Sequence, residues 1–331
     1  MWILSALLAI IIFIGYLVSP ILTTDAPISE PVNLTLGTEK SLLTAAIWIA
    51  ADQKYFHDEG LNVTIQEFDS GRLSFLTMLD DAVDLSTVAP TPIMFSAFER
   101  DDFSILASIV YSDNDVKVIA RTDKGIDNIK ALAGKRIGTP AGTTGQFFLN
   151  ALLTYNGVSS TSITEVDFNP FLLPEALEKG DVDAIVIWEP HAMNTLKRLG
   201  KLAVTLPSSD IYRETFNLIA KKKLIRKHPE AIARILRSLI RATTFIHNHP
   251  EEAIQIVARR LSLNPDEISV LWQQFTFETF IDSGLILELE NQSRWAIENS
   301  LVQGNKIPNY LNLIHLDALK NIKPQAIDLS K

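Results

Sequence analysis

Cysteine is absent from the 331 residues, which excludes disulfide frameworks, thiolate zinc sites and redox thiols. Histidine occurs six times and never in the HExxH spacing that seats zinc; His247 and His249 flank a helix start and read as caps. Positive charge is in short supply. Thirty Lys and Arg against 39 Asp and Glu leave a net charge of -9, whereas nucleic-acid binding needs a basic face and docking on anionic lipid needs a polybasic stripe. No GxSxG nucleophile elbow occurs. Gly134-Lys135 looks like the end of a phosphate loop, but Ile129 stands where that loop needs its first glycine and Arg136 where it needs Ser or Thr. Catalytic residues, metal and cofactors are therefore not expected, nor is a nucleic-acid partner.

What is present begins with an apolar run, WILSALLAIIIFIGYLVSPIL, at residues 2–22. It reads as a signal peptide or a membrane anchor. The block before Ser19-Pro20 exceeds the roughly 7–15 residues of a signal core, and no clean small-x-small cleavage site follows, which favours the anchor. Residues 23–31 form a polar, proline-containing tether. On either reading the folded part is exported.

From Val32 the chain alternates short strands with helices, which argues for an α/β fold with largely parallel sheets, and it is long enough for two lobes with separate cores. VNLTLGT is a strand; a helix runs through SLLTAAIWIAADQKYFHDEG and stops at Gly60; LNVTIQEF is a strand again. The same grammar repeats through FNLIAKK. LDDAVDLSTVAP at 79–90 and LEKGDVDAIVIWEP at 177–190 echo one another: each is a helix end, Val-Asp, a buried strand and a proline at its carboxyl end. After Lys223 the pattern becomes helical. Two helices open with His-Pro-Glu, the proline suiting the first helical position and the glutamates the dipole; Pro265 opens a third, and RWAIENSLVQGNKI predicts a fourth ending at Gly304.

The strongest functional signal lies in residues 121–200. Gly142-Thr143-Thr144-Gly145 joins a strand to a helix, where free N–H groups and the helix dipole suit an anionic or polar ligand group; alternatively Thr144 is simply a cap. Trp188-Glu189-Pro190 leaves a buried strand at its carboxyl end, where open α/β sheets bind ligands. Trp188 can stack on a solute and Glu189 can accept from an amine, or the two are core and cap.

These segments, GIDNIKALAGKRIGTPAGTTGQFF (125–148), EALEKGDVDAIVIWEP (175–190) and the HPEEA helix start (249–253), resemble the solute-binding proteins of ABC importers for nitrate, taurine and alkanesulfonates. AADQKYFHDEGLNVTI (50–65) and LDDAVDLSTVAP are weaker matches, and the likeness runs from Val32 to about Ala258. Ala82 departs from the glycine common in the family, and residues 291–331 match no motif. The resemblance implies a two-lobed type II periplasmic-binding-protein fold acting as a monomer. Lobe one would be 32–120 plus 220–331 and lobe two 121–219, with crossings near 120–123 and 216–220. The implied partners are a small-molecule solute and ABC permease subunits; a membrane-tethered sensor is the alternative. Pyrimidine synthases of similar fold depend on a cysteine-rich iron motif that this chain lacks. In the implied cleft, Thr38 and Thr91 with Ala89 and Pro90, Tyr111, Asn169 and Asn217 join the candidates above. Arg72 and Lys40 could neutralise an anion, but read more simply as solvated side chains.

Overall fold

The computed structural model describes residues 31–208 and 211–329. The expected N-terminal apolar helix lies outside them; among the described residues no helix is long and apolar enough to cross a membrane.

Nine strands come in chain order before the return: β1 (Val32–Glu39), β2 (Leu61–Phe68), β3 (Leu85–Val88), β4 (Phe103–Ser112), β5 (Val116–Arg121), β6 (Arg136–Thr139), β7 (Thr164–Asp167), β8 (Ala184–Trp188) and β9 (Ala203–Leu206). β10 (Glu214–Lys221) follows. They form two five-stranded sheets, ordered β2-β1-β3-β10-β4 and β7-β6-β8-β5-β9. The sheets correspond position by position, and the two echoing segments supply the third strand of each.

Neither sheet is wholly parallel. β1 is parallel to β2 and β3, and β6 to β7 and β8. β10 runs antiparallel to β3 and β4, and β5 to β8 and β9. The reason is connectivity. β5 and β10 are the strands by which the chain enters one sheet from the other, so each starts at the edge where its parallel neighbours end. The expected crossings at 120–123 and 216–220 fall within or at the end of these strands; the chain changes sheet between β4 and β5 and again between β9 and β10.

Burial follows strand periodicity. On β5 and β8, Val118, Ala120, Ala184 and Val186 join one apolar cluster, while Ile119, Ile185 and Ile187 join another. Alternate side chains face opposite sides of a sheet, so both faces are covered. The first sheet shares a larger core with helix Ala45–Asp52, whose first six residues are all buried, and with the long helix Pro229–Asn248.

Several boundaries differ from expectation. The helix expected to run to Gly60 breaks at Lys54, which adopts φ 60°, and a short turn Tyr55–Asp58 follows. The last long helix is Ser283–Glu298, not one ending at Gly304. Asp282 starts it by accepting from Leu285 N at 3.1 Å, and Leu285, Leu289, Gln292, Ser293 and Ala296 form its buried stripe. That stripe places residues 291–298 on a helix already running. Pro229 and Pro250 do open their helices, but His228 and His249 at the cap positions make no side-chain capping bond; His247 Nε2 instead lies 2.9 Å from Phe277 O.

Candidate functional site

The carboxyl ends of the parallel strands in both sheets converge on one narrow cavity of about 20 Å³. The first sheet contributes Glu39 at the end of β1, Ser70-Gly71-Arg72 at the start of helix Gly71–Leu79, and Ala89 and Pro92 around the start of helix Pro90–Ala97. Thr143 and Thr144, opening helix Thr144–Tyr155, and Trp188 at the end of β8 come from the second. Glu214 and Phe216 complete the lining from the start of β10.

Three helix amino-termini therefore border the cavity, and helix starts leave unsatisfied N–H groups there. Some are already used. Gly71 N donates to Glu39 Oε2 at 2.7 Å and Leu73 N to Ser70 Oγ at 3.2 Å. Gly142 N donates to Gln146 Oε1 at 2.9 Å, and Ala141 N to Asp167 Oδ1 at 2.8 Å. Thr143 is the residue at the cap position but does not cap; its hydroxyl donates to Pro140 O at 2.7 Å. Thr144 is 3% exposed and its Oγ1 has no partner.

The electrostatics are acidic inside and basic at one edge. Glu39 is buried, its pKa raised by desolvation although Ser41 Oγ donates to Oε1 at 2.6 Å. Glu214 is 4% exposed and its Oε2 has no hydrogen-bond partner. Burial, and secondarily the charge of Glu39, push its pKa up to about 8. Behind it Asp115, also fully buried, is raised by desolvation and then by Glu214; its Oδ1 accepts from Glu189 N at 3.2 Å and its Oδ2 is unpartnered. Arg72 lies against the Gly142 turn, where a Cβ on that glycine (φ +69°) would meet Nε at 2.8 Å.

The expected site residues divide into two groups. Thr143, Thr144 and Trp188 line the cavity, as do Ala89 and Arg72; Gly142 and Gly145 shape the turn beside it, where a Cβ on Gly145 would come within 2.9 Å of Thr139 Oγ1. The others do not line it. Thr38 Oγ1 bonds Thr87 Oγ1 at 2.6 Å and Thr44 Oγ1 at 2.8 Å inside the first lobe. Asn217 is spent on Ser108 Oγ at 2.7 Å and Val88 O at 3.2 Å. Tyr111 lies under the Arg213 guanidinium, 3.9 Å from its ring centre. Glu189 Oε2 caps the following helix through Met193 N at 2.9 Å. Thr91 is buried beside the cavity with an unpartnered hydroxyl. Asn169 is exposed and reaches the first sheet's side, donating to Asp69 Oδ2 at 3.1 Å.

Other contacts also join the two sides. Lys197 Nζ is 2.5 Å from Glu267 Oε1, and Trp295 of the last long helix packs edge-on to both Phe95 and Phe147, at 6.0 and 5.4 Å. The residues missed by sequence reasoning are Glu39, Ser70, Gly71, Pro92, Glu214 and Phe216. Glu214 opens a strand that the structure buries at all eight positions, which its residue types alone do not reveal.

The NMT1/THI5 like family model matches residues 43–253. A Bacillus subtilis (strain 168) protein provisionally named as an aliphatic sulfonates-binding protein is 30% identical over 232 residues, 68% of either chain. The taurine-binding periplasmic protein of Escherichia coli (strain K12) is 24% identical over 223 residues, 65% of this chain and 66% of that one. In fold, the alkanesulfonate-binding protein SsuA from Xanthomonas axonopodis pv. citri superposes with a TM-score of 0.75 at 16% identity, covering 91% of this chain and 100% of that one.

Proposed function

The chain belongs to the NMT1/THI5-like family, and from that premise we propose that it is the solute-binding component of an ABC import system, working outside the cytoplasm. It captures a small polar or anionic solute of the nitrate, sulfonate or taurine class in the cavity between its sheets. The observation that carries this reading is the lining itself: strand ends and helix starts of both sheets meet on one small space with unpartnered buried polar atoms. Buried polar groups without partners are costly, and a solute that satisfies them supplies binding energy available only when the lobes are together.

The lobes are hinged where the chain changes sheet, between β4 and β5 and between β9 and β10. A solute binding one side then biases closure by the contacts it gains from the other. Residues 2–22 hold the protein at the outer face of the membrane, where the permease subunits receive the solute, and the protein acts as a monomer. The relatives named above are binding proteins, which favours transport over sensing and over catalysis. The test is equilibrium titration of the full chain with nitrate, ethanesulfonate, propane-1-sulfonate and taurine, followed by thermal shift. Saturable stabilisation by at least one of them is expected; none by any of the four refutes the proposal.

A further inference from the structure

A cavity built for a simple oxyanion should be lined by donors and cations. This one has donors along one edge, yet two carboxyl groups, Glu39 and Glu214, stand in its wall. Neither forms an ion pair with Lys, Arg or His among the described residues, although sixteen such pairs occur elsewhere in the fold. Arg72, the cation in the lining, lies against Gly142 instead and hydrogen-bonds to nothing among the described residues. The two carboxyl groups share one cavity wall and lie near enough that the charge of Glu39 raises the pKa of Glu214; a Cβ on Gly71 would lie 3.3 Å from Glu39 Oε2 and 3.0 Å from the Phe216 ring. Phe216 and Trp188 add aromatic faces to the same wall.

Resting on the solute-binding reading, we propose that the solute carries a protonated nitrogen received by Glu39 and Glu214, with its acidic group at the Thr143-Thr144 turn beside Arg72. A short amino acid analogue with separated charges matches this charge arrangement; nitrate and unsubstituted alkanesulfonates leave the carboxyl groups unmet. An ammonium would satisfy the unpartnered Glu214 Oε2 by a charge-assisted hydrogen bond, gain from the aromatic faces and relieve the repulsion between the two carboxyl groups. The acidic end would take the free N–H groups of the helix start and the Thr144 hydroxyl. Without solute, the groups facing Glu214 are Glu39, Asp115 and Thr144, with Tyr212 close by, and its carboxyl stays protonated near neutrality. Arrival of the ammonium therefore expels a proton.

The test uses the full chain and a matched pair, taurine and propane-1-sulfonate, which differ by an ammonium in place of a methyl. Calorimetric titration at pH 7 should show taurine bound about 10–100-fold more tightly, the worth of a charged hydrogen bond in a dry site. Release of about one proton per taurine, read from the dependence of heat on buffer ionisation, should accompany it. Glu214→Gln should cut the preference to a few-fold and abolish proton release. Glu39→Gln should reduce the preference too, and serves should the first variant fold poorly. Equal affinity for the pair, or binding of propane-1-sulfonate, nitrate or ethanesulfonate without taurine, overturns this inference and leaves the solute-binding reading standing. A preference untouched by both substitutions removes the carboxyl groups from the role. Binding of none of the four overturns both.

Discussion

Glu214→Gln makes a quantitative prediction for the empty protein. The folded-state pKa of Glu214 is raised from 4.5 to about 8, chiefly by burial. Between those values the unfolded chain has released this proton and the folded chain retains it. The folded state then binds more protons, so stability falls as pH rises through the window. The penalty is absent below pH 4.5 and complete above pH 8. At about 1.4 kcal/mol per pKa unit it reaches about 4–5 kcal/mol. Glutamine resembles the protonated carboxyl in shape and cannot ionise, so the variant escapes this penalty. With an unfolding entropy of roughly 2.1 cal/mol/K per residue, a body of roughly 300 residues converts that energy into about 7 °C. Thermal unfolding of both proteins in solute-free buffer, from pH 5 to pH 9, reads the difference. The melting temperatures should nearly coincide at pH 5 and diverge to about 5–10 °C at pH 9, the variant being the more stable. Parallel curves across the range would show that Glu214 ionises freely in the fold, and the description of an enclosed carboxyl pair would be wrong.

Three further outcomes follow from the same geometry. Gly71→Ala places a methyl 3.0 Å from the Phe216 ring and 3.3 Å from Glu39 Oε2; solute affinity should fall more than tenfold with a stability loss of about 1–3 kcal/mol, checked by titration and denaturant unfolding. Thr144→Val removes a buried hydroxyl that faces Glu214 and Tyr212; solute binding should weaken about tenfold, read by titration, with a stability loss of at most about 1 kcal/mol. Lys197→Ala breaks the pair with Glu267 that joins helices His191–Leu199 and Pro265–Trp272. Both side chains are substantially exposed, so the pair is worth at most about 1 kcal/mol; affinity should drop no more than about fivefold, and the drop should shrink in high salt.

Alternation of strands with helices made the two-sheet architecture legible, and the repeated Val-Asp-strand-Pro segment marked equivalent strands, because local periodicity and turn chemistry write those features into neighbouring residues. The Gly-Thr-Thr-Gly turn and Trp188 were legible for the same reason. What stayed hidden depended on direction and partners. Thr38 and Asn217 have the polarity of ligand contacts, yet their hydrogen-bonding capacity is consumed by Thr87, Thr44, Ser108 and Val88, residues distant in sequence. No local pattern distinguishes a satisfied polar side chain from an available one.

Glu214 was missed for a topological reason. The rule that ligands gather at carboxyl ends assumes parallel strands, and β10 runs against its neighbours. A strand that returns from the other lobe meets the cleft at its first residues, so its amino end stands level with the carboxyl ends of β1 and β3. The same reversal in β5 brings Asp115, the residue before its start, to the buried face of Glu214. In a chain that crosses twice between sheets, then, the residues opening the two crossing strands are as strong candidates for solute contact as those closing the parallel ones. Here the crossing strands carry the charge that tells an ammonium-bearing solute from a simple anion.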